Sequence, residues 1–149
     1  MVALHGRPDV SICGNCLGWL ANKSDQKTAS GGDGNRVNGS EPIFTVADVA
    51  ASRAHYELLG FTTNEHDESY AFAHRNELTI HLVAPEEDDD IVGGSALYLH
   101  VDDADDLAEQ WRTAGVSVIG PEDYDYGKRE GSHVDPDGNL LRFGSPLRQ

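Results

Sequence analysis

The sequence predicts an α+β fold made of two tandem βαβββ modules, and two observations support this. A pattern of one short strand, one helix and three strands occurs twice at a constant offset, so that Asp48 and Gly60 match Asp103 and Gly115. Each predicted helix also follows an aspartate and stops at a glycine, which are residue types typical of helix N-caps and C-terminal ends. A repeat of this length indicates that neither unit can cover its own sheet, so the two pair.

The first module is predicted over residues 42–90. Asp48 is expected to cap a helix that runs through Leu59, and the last strand alternates apolar Leu78, Ile80 and Leu82 with other residues, as a half-buried strand does. The predicted strands are Ile43–Val46, Phe61–Asp67, Tyr70–Arg75 and Glu77–Ala84.

The second module is predicted over residues 95–147, and with the first it forms a single domain of residues 42–147. Asp103 is expected to cap a helix through Ala114, and the sequence Asp-Pro-Asp-Gly-Asn at residues 135–139 predicts a tight turn. The predicted strands are Ala96–Val101, Val116–Ile119, Glu130–Val134 and Leu140–Gly144.

Strand alternation sorts the side chains into two faces. One apolar set should lie under the helices: Leu97, Leu99, Val101, Leu141 and Phe143. The alternate set mixes polar, aromatic and charged groups: Ala96, Tyr98, His100, Leu140, Arg142 and Gly144, with Thr79, His81 and Val83 in the first module. This composition predicts the wall of a water-filled cavity.

Residues 1–41 are predicted to be a flexible N-terminal extension. Residues 21–41 are rich in Gly, Ser, Asn and Asp and hold little that could bury apolar surface. Cys13 and Cys16 form a Cys-Gly-Asn-Cys stretch without the strand–helix context or the second ligand pair that a redox or zinc site requires. The pair is therefore interpreted as a feature of the extension.

The net negative charge of the chain argues against some classes of binding partner. Its 149 residues carry 26 Asp and Glu against 11 Lys and Arg, a formal net charge of -15. Such a field repels nucleic acid and anionic membranes and attracts cationic ligands. No apolar run approaches the ~20 residues that span a bilayer, and the N-terminus lacks the apolar stretch of a secretory signal. A cytoplasmic location is expected.

The repeat and the turn at residues 135–139 resemble the vicinal-oxygen-chelate superfamily, which includes glyoxalases, bleomycin resistance proteins and dioxygenases. Residues 42–48, 60–81 and 126–130 are most similar to bleomycin resistance proteins; there the last stretch reads Trp-Gly-x-Arg-Glu, so Tyr126 replaces a tryptophan. The resemblance implies a domain-swapped or arm-exchanged homodimer. It also implies two crevices at the dimer interface, each holding one drug molecule between aromatic rings.

Metal-dependent members of this superfamily, such as glyoxalase I, place ligands on the first and last strands of each module. The resemblance matches those positions to Glu41, His81, Ala96 and Arg142. A site needs about three ligands, whereas alanine cannot ligate and arginine brings a permanent positive charge. We therefore expect no metal and no cofactor. The alternative is a metal-dependent lyase, isomerase or thiol transferase in another register, where His100 would be a further candidate ligand together with a histidine at position 133.

No catalytic residue is predicted, because the sequence has no phosphate-binding loop, no serine elbow and no cysteine within residues 42–147. The leading hypothesis is a protein that sequesters a cationic, aromatic antibiotic of the bleomycin type without modifying it, and an unrelated ligand is the further alternative. The candidate ligand contacts are Tyr70, Tyr126, Gly127, Arg129, Glu130, Tyr98, His100, His81 and Arg142.

These residues have different expected roles. Tyr70 and Tyr126 would clamp a ring, although either could instead be a packing or exposed tyrosine. Glu130, with Asp123 and Asp125, would receive a cationic tail unless the three form only a solvated acidic loop. Arg129 would form an ion pair that fixes this loop, or contact the ligand. Arg142 would line the cavity, or form a salt bridge across the sheet.

Overall fold

The computed structural model describes residues 34–148. By contacts the chain divides into two units, residues 1–40 and residues 41–149, and both modules lie in the second unit. Cys13, Cys16 and most of the predicted extension lie outside the described residues. Within residues 34–148, no helix is long and apolar enough to cross a membrane.

The first module has the predicted order of one strand, one helix and three strands. Its elements are β1 (Ile43–Thr45), α1 (Val49–Leu58), β2 (Thr62–Asp67), β3 (Tyr70–Arg75) and β4 (Leu78–Val83). The strands form a sheet in the order β1-β4-β3-β2, with β1 parallel to β4 and the other pairs antiparallel.

The second module repeats this arrangement and confirms the predicted α+β fold. Its elements are β5 (Ala96–His100), α2 (Ala104–Thr113), β6 (Ile119–Tyr124), β7 (Lys128–Val134) and β8 (Leu140–Pro146). The sheet order is β5-β8-β7-β6, again with one parallel pair, β5 and β8.

Both helices begin at the predicted aspartates. The Asp48 carboxylate accepts a hydrogen bond from the Ala51 amide at 3.0 Å, and the Asp103 carboxylate accepts one from the Asp106 amide at 3.1 Å. These contacts satisfy amides that have no partner within the first turn of a helix. The two N-caps predicted from the sequence are confirmed.

One strand was predicted in the wrong place. The second strand of the second module is Ile119–Tyr124 rather than Val116–Ile119. Val116 is buried in the core directly after α2, whereas the strand itself contains Pro121 and a register irregularity between Ile119 and Glu122. Proline cannot donate to a ladder, but β6 is the edge of its sheet, where a proline beside a bulge is tolerated.

The two modules share one core, built from the helices and from the helix-facing sides of both sheets. Hydrogen bonds join the modules inside it: the Trp111 indole donates to the Leu59 carbonyl at 2.9 Å, and the Tyr56 hydroxyl donates to Asp135 at 2.7 Å. The predicted helix-facing set of the second sheet packs in this core. The opposite face of that sheet is therefore not part of it.

Candidate ligand-binding site

The face of the second sheet that points away from the core carries the candidate site, and we call it the second-sheet face. Strand register places Tyr98, Arg142 and Ser132 side by side in one row, and His100, Gly144 and Glu130 in the next. The predicted membership of this face is confirmed for the residues of β5 and β8. The face also includes Leu140 and Ala96 at one end, and Glu122, Tyr124 and Lys128 at the other.

Glu130 lies at the centre of the second-sheet face and is only 4% exposed. Its carboxylate accepts hydrogen bonds from the hydroxyls of Tyr98 and Tyr126, each at 2.6 Å, and from Nη2 of Arg142 at 3.1 Å. The hydrogen bonds from Tyr126 and Tyr98 lower the pKa of Glu130. The buried carboxylate thus accepts three hydrogen bonds, and these bonds fix the rings of Tyr98 and Tyr126 and the guanidinium of Arg142 around it.

Gly144 supplies the space that Tyr98 needs to reach Glu130. A Cβ atom on Gly144 would lie 2.0 Å from the Tyr98 hydroxyl oxygen and 3.0 Å from the Glu130 Cγ. No real Cβ approaches an atom that closely, so the phenol crosses the sheet only because position 144 has no side chain. The sequence analysis placed Gly144 on this face but assigned it no role.

Aromatic rings line one end of the face. Tyr126 is 60% exposed, precedes the turn glycine Gly127, and stacks on Tyr124 with ring centroids 5.6 Å apart and an interplanar angle of 28°. The ring centroids of Tyr98 and His100 lie 5.0 Å apart. Burial, and after it the hydrogen bond to Glu130, raises the pKa of Tyr98 to about 12. Tyr124 was missed from the sequence, because its place beside Tyr126 depends on the corrected position of β6.

Two hollows adjoin this group. A depression of about 180 Å³ lies on the face itself, and the polar and aromatic side chains of its wall are Glu122, Tyr124, Glu130, Ser132 and Arg142. A larger cleft of about 710 Å³ runs along β5, and its lining includes Tyr98 and His100 together with the turn at residues 75–78. Predicted contacts Tyr98, His100, Glu130 and Arg142 thus border open space.

Arg129 points away from this group, as alternation along β7 requires. Its guanidinium bonds to Asp105 at 2.9 Å and to Asp123 at 2.8 Å, and so fastens the β6–β7 hairpin to α2. The ion pair expected of Arg129 is present. Of the acids predicted to receive a cationic tail, Asp123 and Glu130 already hold donors of this chain.

The predicted contacts of the first module lie in a different environment. His81 is buried and bonds through Nδ1 to the Tyr70 hydroxyl at 2.6 Å and through Nε2 to Glu41 at 2.7 Å. The expectation of a water-filled wall is wrong for Thr79, His81 and Val83, since all three are buried. Around His81 the rings of Tyr70 and Phe72 pack edge-on, and Glu41 satisfies the second ring nitrogen.

Tyr70 and Tyr126, the predicted ring clamp, lie on different sheets. The Tyr70 ring contacts Phe72 at 5.5 Å and His81 at 5.6 Å, whereas the Tyr126 ring stacks on Tyr124. Within one chain the two tyrosines therefore belong to separate groups of side chains.

The positions that correspond to metal ligands in the superfamily do not form a ligand set. In the first module Ile43 pairs with His81, and at the equivalent place in the second module Tyr98 pairs with Arg142. The guanidinium of Arg142 therefore occupies the position that the His81 ring has in the first module. Among residues 34–148, no three His, Cys, Asp or Glu side chains are grouped to hold a metal ion. The alternative register is also wrong, because His133 pairs with buried Leu141 on the core face while His100 lies on the second-sheet face.

Comparison with known proteins agrees with this architecture. Residues 40–143 match the profile of the Glyoxalase/Bleomycin resistance protein/Dioxygenase superfamily. Curated protein sequences give no significant match.

Several solved structures share the fold. A bleomycin resistance determinant encoded on the transposon Tn5 aligns with a TM-score of 0.65 and 24% identity over 75% of this chain and 100% of its own. The bleomycin-binding protein of Streptomyces verticillus, solved with copper(II)-bleomycin, aligns at 0.64 and 24% over 76% and 100%. The antibiotic binding protein TnmS3 of Streptomyces sp. CB03234 aligns at 0.58 and 22% over 76% and 100%. By its sequence match and its two βαβββ modules, the chain belongs to the glyoxalase/bleomycin resistance protein/dioxygenase superfamily.

Proposed function

We propose that this chain is a binding protein that sequesters an aromatic small molecule of the bleomycin type on the second-sheet face and leaves it chemically unchanged. The observation that carries the proposal is the set of three hydrogen bonds to the Glu130 carboxylate. These bonds hold Tyr98, Tyr126 and Arg142 in fixed positions. A carboxylate with three donors and a lowered pKa is a poor proton acceptor. The arrangement suits recognition better than acid–base chemistry.

The rings of the face support an aromatic ligand. Tyr124 and Tyr126 already stack on each other, and the exposed Tyr126 leaves a ring surface on which a planar heterocycle can lie. Proteins of the same fold are described as a bleomycin-binding protein and an antibiotic binding protein. The net charge of -15 adds a long-range attraction for a cationic ligand, so that affinity should fall as salt rises.

A homodimer would complete the site. Tyr98, Ile119 and Val134 are exposed apolar side chains on or beside the second-sheet face, and uncovered apolar area of this kind marks interaction surfaces. In the proposed dimer, this face of one protomer lies opposite the partner, and the ligand occupies the crevice between them. Such a crevice is where Tyr126 of one chain and rings of the partner would come within reach of one ligand, whereas Tyr70 is buried in the first module.

The test is a titration of the full chain with bleomycin in buffer that contains a chelator, followed by tyrosine and tryptophan emission. The proposal expects saturable quenching that weakens as salt is added. Tyr126→Ala should weaken binding roughly three- to tenfold through the lost stacking surface. Leu58→Ala is the control, because Leu58 is an exposed apolar residue on α1, outside the face. Equal affinity of Tyr126→Ala and the parent chain would contradict the assignment of the site.

One observation favours a metal-dependent lyase, isomerase or thiol transferase as a second candidate. Glu41 and His81 are side chains of ligand type, lie 2.7 Å apart and occupy superfamily ligand positions. Their counterparts, Ala96 and Arg142, fit a metal poorly. Elemental analysis decides between the candidates: about one transition ion per chain, lost in His81→Ala, would favour the enzyme.

A further inference from the structure

We infer that the second-sheet face prefers aromatic ligands that also carry an anionic oxygen group, such as a carboxylate or sulfonate, and that Arg142 binds this group. The inference rests on the proposed function and adds a chemical class to it. It differs from what the net charge suggests, because a chain with a charge of -15 would by itself favour purely cationic ligands. The evidence lies in the local arrangement of charges on the second-sheet face.

Arg142 is an exposed cation of this face and borders the depression. Its side chain is 44% exposed, and Nη2 bonds to Glu130 at 3.1 Å. A guanidinium has five N–H donors, and within residues 34–148 the side-chain acceptor of Arg142 is Glu130. The remaining donors are left for a molecule in the 180 Å³ depression that Arg142 helps to line.

The acids near Arg142 do not cancel its effect on a ligand. Glu130 is buried and already accepts three hydrogen bonds, so a ligand in the depression meets N–H groups of Arg142 rather than the Glu130 oxygens. Asp123 is held by Arg129 on the opposite side of the hairpin. Glu122 is an exposed carboxylate in the wall of the depression, and Lys128, cross-strand from Tyr124 on the same face, contributes one positive charge against it.

The geometry of Arg142 suits a planar anionic group. Its guanidinium lies over the Tyr124 ring at 5.9 Å from the centroid, which restricts its orientation before a ligand arrives. A positioned guanidinium binds two oxygens of a carboxylate or sulfonate through parallel N–H bonds. A ligand ring stacked at Tyr124 and Tyr126 would place a carboxylate or sulfonate substituent within reach of the Arg142 guanidinium. Arg142 thus supplies a permanent cation at the strand position that matches His81 in the first module.

A matched pair of fluorescent probes tests the inference. 8-Anilinonaphthalene-1-sulfonate carries the sulfonate, and N-phenyl-1-naphthylamine has the same ring system without it. The parent chain should bind the sulfonate probe about tenfold more tightly than the neutral probe, as expected for charge-assisted hydrogen bonds. Arg142→Gln should abolish this preference while the neutral probe still binds. Arg142→Lys should retain part of the preference, since it keeps the charge but loses the fork.

Lys128→Gln is the control, because it removes the same charge from the same face and should leave most of the preference. Thermal melts establish that each variant is folded. Equal binding of both probes by the parent, or equal losses in Arg142→Gln and Lys128→Gln, would overturn the role of Arg142 and leave an aromatic binding site standing. Failure of both probes to bind the parent chain would overturn the inference and count against the proposed function as well.

Discussion

Replacing Gly144 with alanine tests how the binding face is built. The added Cβ would lie 2.0 Å from the Tyr98 hydroxyl oxygen, whereas ordinary contacts begin at 3.4 Å. Tyr98 must therefore move by more than an ångström, and its 2.6 Å hydrogen bond to Glu130 must break. The displaced ring can turn into solvent, because Tyr98 is already 37% exposed.

The expected cost to stability is small, and the expected effect on the phenol is large. Losing one partly exposed hydrogen bond costs about 1 kcal/mol or less, and alanine offsets this by restricting the unfolded chain by roughly 0.4–1 kcal/mol. The pKa of Tyr98, raised to about 12 by burial and by Glu130, should fall toward its ordinary value of 10.0. At about pH 11 the ionised fraction of Tyr98 would rise from roughly one tenth to roughly nine tenths.

Near-ultraviolet absorbance of the phenolate measures this change. The spectrum of Tyr98→Phe, subtracted at each pH, isolates the contribution of Tyr98, and far-ultraviolet circular dichroism establishes that the chain remains folded. Gly144→Ala should show close to one additional phenolate per chain at that pH. If Tyr98 stays protonated in folded Gly144→Ala, the phenol does not depend on the gap at position 144 and the described architecture of the face is wrong.

Three further predictions concern stability. Tyr56→Phe should lower the free energy of unfolding by roughly 1.5–3 kcal/mol in urea titrations, since it leaves buried Asp135 without one donor; an unchanged midpoint would contradict the role of that bond. Burial lowers the pKa of His55, whose Nε2 lies 2.8 Å from Nε2 of His133. The unfolded chain therefore takes up protons more readily, and the parent should lose stability as pH falls below 6.5. The melting temperature of His55→Gln should depend less on pH over this range. Glu130 has a lowered pKa, so its contribution is present above about pH 4.5 and is lost as pH falls further; the parent and Glu130→Gln should therefore converge in acid, and parallel curves would contradict this.

Much of the fold could be predicted because its signals are local. Asp48 and Asp103 cap helices through amides three residues ahead, and alternation along β5 and β8 assigns side chains to faces without knowledge of the partner strands. The second strand of the second module was misplaced because Pro121 argues against a strand. Only the position of β6 at the sheet edge, which is a tertiary property, makes that proline acceptable.

The candidate site was harder to predict, because its contacts depend on register between distant strands. The bonds of Tyr98 and Arg142 to Glu130 require β7 and β8 to align Glu130 with Gly144, and no local pattern specifies that alignment. The burial of His81 likewise depends on neighbours from another strand, Tyr70 and Phe72. Sequence reasoning identified residue types suited to binding, but the structure was needed to show which of them act together.

Native mass spectrometry of the full chain mixed with metal-free bleomycin tests the central claim most directly, because one spectrum reports subunit number, bound drug and bound metal. We predict a dimer that carries two drug molecules of unaltered mass and no transition ion. A chain that binds no drug, or that holds a stoichiometric metal ion and releases the drug with a changed mass, would contradict sequestration on the second-sheet face.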